Sequence, residues 1–169
     1  MTNRRIIDTN VPLVAAEKHE RAEAICRRTC EIYVKQVLNG KICVVIDDNR
    51  AAYTEYRNNM YPDPNPSSGL ASNFLMHVIQ NYGNDKRVLR IPLVQRNGEY
   101  VEWPQDPALT NFDPSDRKWV ALARAFNQQT GQTAPITYAI ERDWDDYRDA
   151  LTRHGVELDH LCAVDRMMP

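Results

Sequence analysis

A run of apolar, mostly β-branched residues constrains the fold of this chain more than any other feature. Residues 42–46 read Ile-Cys-Val-Val-Ile and are followed by two aspartates. A strand without polar alternation is buried on both faces, which is typical of the interior of a parallel sheet covered by helices. Two parallel strands also need a long connection, which is usually a helix. The run therefore predicts an α/β protein with a mostly parallel central sheet.

A shorter strand and a long helix precede this run. Residues 6 and 7 are isoleucines, and the turn-forming residues 8–10 follow them. Residues 15–38 carry apolar side chains at helical spacing, and Gly40 is a typical helix end in the left-handed conformation. Together these segments predict a strand–helix–strand unit with parallel strands.

The rest of the chain alternates predicted helices and strands. We expect helices that end near residue 60, span 72–82, begin at 114 and end near 153, and strands over 135–140 and 156–161, the last at a sheet edge. Asn97-Gly98 is a strong turn signal, so it predicts an antiparallel β-hairpin inserted at about residues 87–103. The proline- and serine-rich residues 61–70 predict a loop.

Length and composition indicate one domain. The 169 residues suffice for a sizeable core, and the fractions of apolar (43%) and charged (26%) residues are ordinary for a globular protein. We expect a single domain over residues 1–162, with an insertion at about 61–112 and a C-terminal tail at 163–169. The net charge of −2 does not by itself indicate nucleic-acid binding, although a local basic patch would suffice for it.

The N-terminal residues bear on the location of the protein, which we expect to be the cytoplasm. The apolar run that follows Arg4 and Arg5 stops at Ile7. It is too short for a signal peptide or a membrane span. We therefore expect no membrane partner.

The four cysteines are Cys26, Cys30, Cys43 and Cys162, and no two of them form a Cys-x-x-Cys pair. Cys26 and Cys30 lie four residues apart on the predicted long helix, a spacing that can hold a metal ion. No histidine or cysteine cluster in the sequence completes such a site. We therefore expect small buried thiols rather than metal ligands, in a reducing intracellular compartment.

Acidic residues recur where predicted strands end. They are Asp8 after the first strand, Asp47 and Asp48 after the second, and Glu141 and Asp143 after strand 135–140, while Asp116 opens a helix and Glu55 lies beside two alanines on a helix face. In an open parallel sheet, ligands bind at the carboxyl ends of the strands. Two like charges ~4 Å apart repel by roughly 4 kcal/mol at an effective dielectric of ~20, so the cluster favours a neutralising cation. Oxygen ligands without a histidine or cysteine set favour Mg²⁺ or Mn²⁺.

Each of these acids also has a purely structural explanation. Helix capping would explain Asp8 and either Asp47 or Asp48, an ion pair with Arg50 or Arg57 would explain Glu55, and the helix dipole would explain Asp116. A shared site is favoured because the acids follow several strands rather than one. No Walker loop, Gly-rich dinucleotide motif or Ser/His/Asp set competes for this role.

Four short motifs resemble, in the same order, those of the PIN-domain nucleases. They are Asp8-Thr9-Asn10-Val11, Val45-Ile46-Asp47-Asp48 with Glu55-Tyr56, Asp-Pro-Ser-Asp-Arg-Lys-Trp-Val-Ala at 113–121, and Glu141-Arg142-Asp143-Trp144. The resemblance covers nearly the whole chain, with residues 61–112 as an insertion. It implies a three-layer α/β/α sandwich and metal-dependent hydrolysis of phosphodiester bonds, usually in RNA.

The resemblance also implies roles for individual residues. Metal binding and catalysis would fall to Asp8, Glu55, Asp116 and an acid at 141–143, with Thr9, Asn10 and Asp48 in support. The fourth motif of the family commonly reads Thr-x-Asp-x-Asp, whereas this chain lacks the threonine and has Glu141 as the first acid. Both Glu141 and Asp143 therefore stay candidates for the fourth ligand.

These observations predict a Mg²⁺- or Mn²⁺-dependent endoribonuclease, of a toxin or defence type. The resemblance implies an RNA substrate, a protein inhibitor or antitoxin, and a homodimer for which the long first helix would serve. The alternative is an inactive PIN-like module that binds RNA or a protein, in keeping with the altered fourth motif. A haloacid-dehalogenase-like phosphatase is disfavoured, because it needs a second acid where the chain has Asn10.

Overall fold

Five parallel strands form the central sheet of the structure, a computed structural model that describes residues 3–19, 22–60 and 69–163. In chain order, the strands are β1 (Asn3–Ile7), β2 (Ile42–Asp47), β3 (Val88–Ile91), β4 (Gln95–Arg96), β5 (Glu99–Tyr100), β6 (Ile136–Tyr138) and β7 (Leu158–His160). The sheet order is β3-β2-β1-β6-β7, and every neighbouring pair is parallel. Strands β4 and β5 form a separate antiparallel hairpin.

Helices flank this sheet, as expected for a three-layer α/β/α sandwich. Within the described ranges, they are α1 (Asn10–Ala15), α2 (Ala24–Leu38), α3 (Ala51–Met60), α4 (Leu70–Gln80), α5 (Arg117–Thr130), α6 (Arg142–Asp146) and α7 (Arg148–Arg153). Two 3-10 turns lie at Pro107–Leu109 and Pro114–Asp116. None of the helices in these ranges is long and apolar enough to cross a membrane. The predicted α/β class is confirmed.

The apolar run at residues 42–46 occupies the position that its pattern predicts. Strand β2 lies between β1 and β3, and all six of its residues are buried. Strand β1 pairs with β2 in parallel, with Arg4 opposite Cys43, and α1 and α2 lie in the connection. The predicted edge position of the last strand, β7, is also confirmed.

The predicted helix over residues 15–38 is wrong in its first third, because α1 ends at Ala15 and α2 begins only at Ala24. Glu17 adopts a left-handed conformation with φ of 59°. The Lys18 N–H donates to the carbonyl of Leu13 at 2.9 Å, and the Glu17 N–H donates to that of Val14 at 3.1 Å. These two bonds form a typical helix C-terminus, which usually carries glycine at the left-handed position. The helix predicted to end near residue 153 is likewise divided, into α6 and α7.

The predicted hairpin is present but smaller than expected. Asn97 and Gly98 both have positive φ, 53° and 81°, as the tight turn between β4 and β5 requires. Residues 88–91, which the sequence pattern placed in the hairpin, form β3 and pair in parallel with β2. Part of the predicted insertion therefore belongs to the central sheet. Of the loop predicted over residues 61–70, residues 61–68 lie outside the described residues, as does the tail beyond residue 163, and Leu70 begins α4.

The expectation of four small buried thiols is wrong for two of the cysteines. Cys26 on α2 and Cys162 after β7 form a disulfide, whereas Cys30 and Cys43 are free and buried. Burial raises the pKa of the Cys30 thiol to about 12. The partners of the disulfide are 136 residues apart in the chain, so their pairing depends on the packing of α2 against the end of β7.

Candidate active site

Three of the predicted acids come from three separate elements to the carboxyl edge of the sheet. Asp8 directly follows β1, Glu55 lies in the middle of α3, and Asp116 ends the 3-10 turn that leads into α5. The negative charges of Asp8 and Glu55 both raise the pKa of Asp116. The fold therefore brings these carboxylates within electrostatic reach of one another.

Asp8 is a buried carboxylate with two hydrogen-bond donors. Its side chain accepts the indole N–H of Trp144 at 2.7 Å and the backbone N–H of Asn10 at 3.1 Å, and the residue is 5% exposed. Burial raises the pKa of Asp8 to about 6, although both hydrogen bonds lower it, and the charges of Glu55 and Glu141 raise it further. A positive charge placed beside Asp8 would favour its ionised form.

Asn10 joins the ends of β1 and β6 beside this carboxylate. Its side-chain oxygen accepts the backbone N–H of Ala139 at 2.9 Å. Its side-chain nitrogen is buried without a hydrogen-bond partner in the described part of the chain, and the residue is 8% exposed. Buried donors are normally paired, so an unpaired one beside the acids indicates a group that donates to a ligand.

Glu55 is held by two neighbours, one of which the sequence patterns did not indicate. The Thr9 hydroxyl donates to one carboxylate oxygen of Glu55 at 2.5 Å. The Lys118 ammonium pairs with the other oxygen and also donates to the carbonyl of Ser115. This ion pair replaces the predicted alternatives with Arg50 or Arg57. The sequence did contain one signal that Lys118 has an acidic partner. Lys118 lies in the first turn of α5, where the helix dipole disfavours a cation that has no such partner.

Asp116 is partly buried next to the other two acids. Burial is the main cause that raises the pKa of Asp116 to about 7, and the charge of Asp8 comes next. Asp113, which precedes the 3-10 turn, accepts the N–H of Ser115 at 2.8 Å, and this bond lowers the pKa of Asp113. Asp116 itself makes no capping hydrogen bond to α5. Asp113 therefore caps the 3-10 turn that leads into α5, and the carboxylate of Asp116 is available to a ligand.

The structure decides which aspartate after β2 caps the next helix. Asp47 is 1% exposed, and its carboxylate accepts the N–H groups of Ala51 and Ala52 at 2.8 Å each. Asp48, which we expected to support the site, is exposed to solvent. Its neighbour Asp47 is thus the structural acid of this motif.

The two candidates in the fourth motif occupy different positions. Glu141 is exposed just before α6, and its charge raises the pKa of Asp8. It also lines a cavity of about 530 Å³ together with His19, Ile140 and Arg142. Asp143 is half-buried in the first turn of α6. The electrostatic contact with Asp8 favours Glu141, and the choice between the two acids stays a prediction.

Comparison with known proteins adds no relative: no protein-family model, no curated protein and no solved structure matches this chain. The resemblance to the PIN-domain nucleases therefore stays a prediction. What can be said about the site follows from its donor atoms and their surroundings.

The donor atoms of the site suit a hard divalent cation. Asp8, Glu55 and Asp116 offer carboxylate oxygens, the ligands that Mg²⁺ and Mn²⁺ prefer. Among the described residues, no three acids of this site bring one carboxylate oxygen each to within 4.8 Å of one another. Only three cysteines bring three ligand atoms that close together. A looser arrangement is expected, since like charges repel and Glu55 is held by Thr9 and Lys118.

Proposed function

We propose that this protein is a metal-dependent endoribonuclease of the PIN-domain type. One observation carries the proposal: Asp8, Glu55 and Asp116 converge on one edge of the sheet, where burial and mutual repulsion raise the pKa values of Asp8 and Asp116. Carboxylates that lie this close together destabilise the fold because they repel one another. A bound cation would offset that repulsion, so the arrangement favours a metal site.

In this proposal, Asp8 and Asp116 hold Mg²⁺ or Mn²⁺, with Glu55 and one of Glu141 and Asp143 as further ligands. The bound ion would supply Lewis-acid activation of water and neutralise charge on the phosphate. Thr9 keeps the carboxylate of Glu55 in place through its hydroxyl. Trp144 and the backbone of Asn10 orient the carboxylate of Asp8.

Two further groups of the chain would contact the substrate phosphate. The Lys118 ammonium lies against Glu55 and supplies a fixed positive charge within the site. The unpaired side-chain N–H of Asn10 is a buried donor that a phosphate oxygen would satisfy. Both groups suit an RNA backbone, whose negative charge dominates its affinity for proteins.

The proposal also concerns location and partners. We place the protein in the cytoplasm, where its RNA substrate and a protein inhibitor of the antitoxin kind would be found. Ile25 and Ile32 lie seven residues apart on α2, and each is about half exposed, at 53% and 51%. This spacing puts both on one helix face, which would serve a second copy or an inhibitor.

A second candidate function is an inactive PIN-like module that binds RNA or a protein. The ion pair between Lys118 and Glu55 favours it, because an internal cation already neutralises one of the acids. The altered fourth motif, with Glu141 as its first acid, is consistent with the same view.

The deciding experiment is cleavage of a labelled, mixed-sequence RNA pool in Mn²⁺, Mg²⁺ or EDTA. We would compare the natural protein with the double variant Asp8→Asn/Asp116→Asn and with Asp149→Asn, a control that changes one exposed acid on α7. We expect metal-dependent cleavage by the natural protein and the control only. Metal-stabilised melting without cleavage would point to an intact site that lacks its substrate. If metal affects neither cleavage nor melting, the inactive module is the better description.

A further inference from the structure

Three cysteine sulfurs, two from helix α2 and one from the segment after β7, lie close together. Cys26 and Cys30 lie one helical turn apart on α2, and Cys162 follows β7. All three sulfur atoms lie within 4.8 Å of one another. The three residues are 2%, 0% and 9% exposed. We call this group the three-cysteine cluster.

A disulfide accounts for only two of these cysteines. Cys26 and Cys162 are bonded, and the thiol of Cys30 lies 3.9 Å from the sulfur of Cys162. In a tetrahedral zinc site with metal–sulfur bonds of about 2.3 Å, neighbouring sulfurs are about 3.8 Å apart. The Cys30 sulfur therefore already lies about as far from the Cys162 sulfur as two sulfurs that bind the same metal ion.

We propose that the three-cysteine cluster, when its disulfide is reduced, binds one thiophilic metal ion such as Zn²⁺. Reduction by a thiol reductant transfers two electrons and two protons to Cys26 and Cys162, while two reductant thiols become a disulfide. The ion then displaces the protons of all three thiols and binds the thiolates. Oxidation of Cys26 and Cys162 reverses the process and releases the ion.

The surroundings of the cluster suit an open metal site. A cavity of about 290 Å³ is lined by Cys26, Cys162, Arg142, His160 and other residues, so it connects two of the sulfurs with solvent. Three thiolates and Zn²⁺ carry a net charge of −1, which the guanidinium of Arg142 in the same cavity would offset. The site would keep a fourth position for water or a small solute.

His160 lines the same cavity and is an alternative for the fourth position, but both of its ring nitrogens are engaged. One lies 2.8 Å from the carbonyl oxygen of Ala139, and the other lies 3.3 Å from the carboxylate of Asp145. A histidine held at both nitrogens must break one contact before it can bind a metal. The three sulfurs therefore form the complete protein-derived ligand set.

This site differs in chemistry from the carboxylate site of the proposed nuclease. Sulfur ligands select Zn²⁺ and other soft ions, whereas carboxylates suit Mg²⁺ and Mn²⁺. Metal binding by the three-cysteine cluster does not depend on the nuclease proposal, and the two can fail separately.

The test is metal binding by the reduced full-length protein. We would add Zn²⁺ and measure the metal retained after desalting, and we would titrate Co²⁺ and follow the charge-transfer absorption that only thiolate ligands produce. We expect one ion per chain, release on treatment with a thiol oxidant, and unchanged binding in Asp8→Asn/Asp116→Asn. Absence of both retained Zn²⁺ and the Co²⁺ absorption in the natural protein would overturn the proposal.

The matched variants are Cys30→Ser and Cys43→Ser. Cys30→Ser leaves the disulfide partners intact, so the oxidised variant is expected to fold, and its Zn²⁺ affinity after reduction should fall at least about tenfold. Cys43 lies on β2 outside the cluster, with its sulfur 3.6 Å from the carbonyl of Asp85, and its variant should bind as the natural protein does. Equal affinities in the two variants would contradict a role for Cys30 and with it the three-sulfur site.

Discussion

The carboxylates of Asp8 and Asp116 differ in the hydrogen bonds that they accept. Asp8 receives two hydrogen bonds that lower its pKa, yet burial still raises that pKa to about 6. Asp116 has no capping bond to its helix, and burial together with the charge of Asp8 raises its pKa to about 7. Both groups are therefore partly protonated near neutral pH, and the ionised form of each carries a cost in the folded state.

This cost predicts a stabilising effect of Asp116→Asn in metal-free buffer. The pKa of Asp116 is higher in the folded chain than the usual value of 3.8, so the folded state loses stability as pH rises from about 4 to about 7, and the loss is complete above that pH. Because asparagine does not ionise, the variant does not lose this stability as pH rises. One pKa unit corresponds to about 1.4 kcal/mol, so we expect a melting temperature at least about 2–4 °C above that of the natural protein at pH 8.

The measurement is thermal melting in EDTA at pH 4 and pH 8. The difference between the variant and the natural protein should be much smaller at pH 4, where Asp116 is protonated in the folded chain and only partly ionised in the unfolded chain. Asp113→Asn is the control, because the pKa of Asp113 is lowered and its replacement should destabilise the protein at pH 8. A stability difference of the same size at both pH values would speak against the ionisation of Asp116 as its cause.

At the scale of elements, the site depends on how the segment after β6 packs against the segment after β1. Trp144 of α6 donates to Asp8, and Asn10 of α1 accepts from Ala139. The ring of Trp144 also packs against Phe112, with ring centroids 5.4 Å apart. The fourth motif thus contributes a hydrogen-bond donor and a packed aromatic ring in addition to its acids.

Trp144→Phe tests this arrangement. The change keeps most of the ring but removes the donor to Asp8, so the pKa of Asp8 should rise and Mn²⁺ affinity should fall about tenfold or more. Trp119→Phe is the matched control, because the indole nitrogen of Trp119 is buried without a hydrogen-bond partner in the described ranges. Calorimetric titration with Mn²⁺ measures both variants. If both variants lost Mn²⁺ affinity equally, the loss would be due to changed packing and not to the missing hydrogen bond.

The disulfide acts at the scale of the whole molecule, since it closes a loop over most of the chain. A cross-link between residues 136 positions apart restricts the unfolded chain strongly, and the chain-entropy estimate of its effect is about 5 kcal/mol. Cys26 lies on α2 and Cys162 lies after β7, so the bond also joins the connection between β1 and β2 to the end of the edge strand β7.

We expect reduction to lower the free energy of unfolding by up to about 5 kcal/mol in metal-free buffer. Denaturant unfolding with and without a thiol reductant measures the difference. Cys26→Ser should behave as the reduced natural protein does and should no longer respond to the reductant. Cys43→Ser should keep the full response, because Cys43 is not part of the bond. A natural protein whose unfolding ignores the reductant would contradict a disulfide in solution.

Several elements were predictable because a local pattern reports burial or backbone conformation directly. The unbroken apolar run of β2 indicated a buried parallel strand, and Asn97-Gly98 indicated a tight turn. The division of the predicted helix over 15–38 was not predictable in this way. Its break depends on Glu17 in a left-handed conformation, which is usually adopted by glycine, so the residue type at this position does not report it.

The amino-acid sequence by itself determined the α/β class, the burial of β2 and the recurrence of acids at strand ends. These properties follow from the side chains of neighbouring residues, whose spacing matches the period of a helix or a strand. Only the tertiary structure decided that Asp47 caps α3, that Lys118 pairs with Glu55, and that Cys26 bonds Cys162. Each of these choices was between chemically similar groups, and the longer-range contacts depend on how distant elements pack, which local spacing does not report.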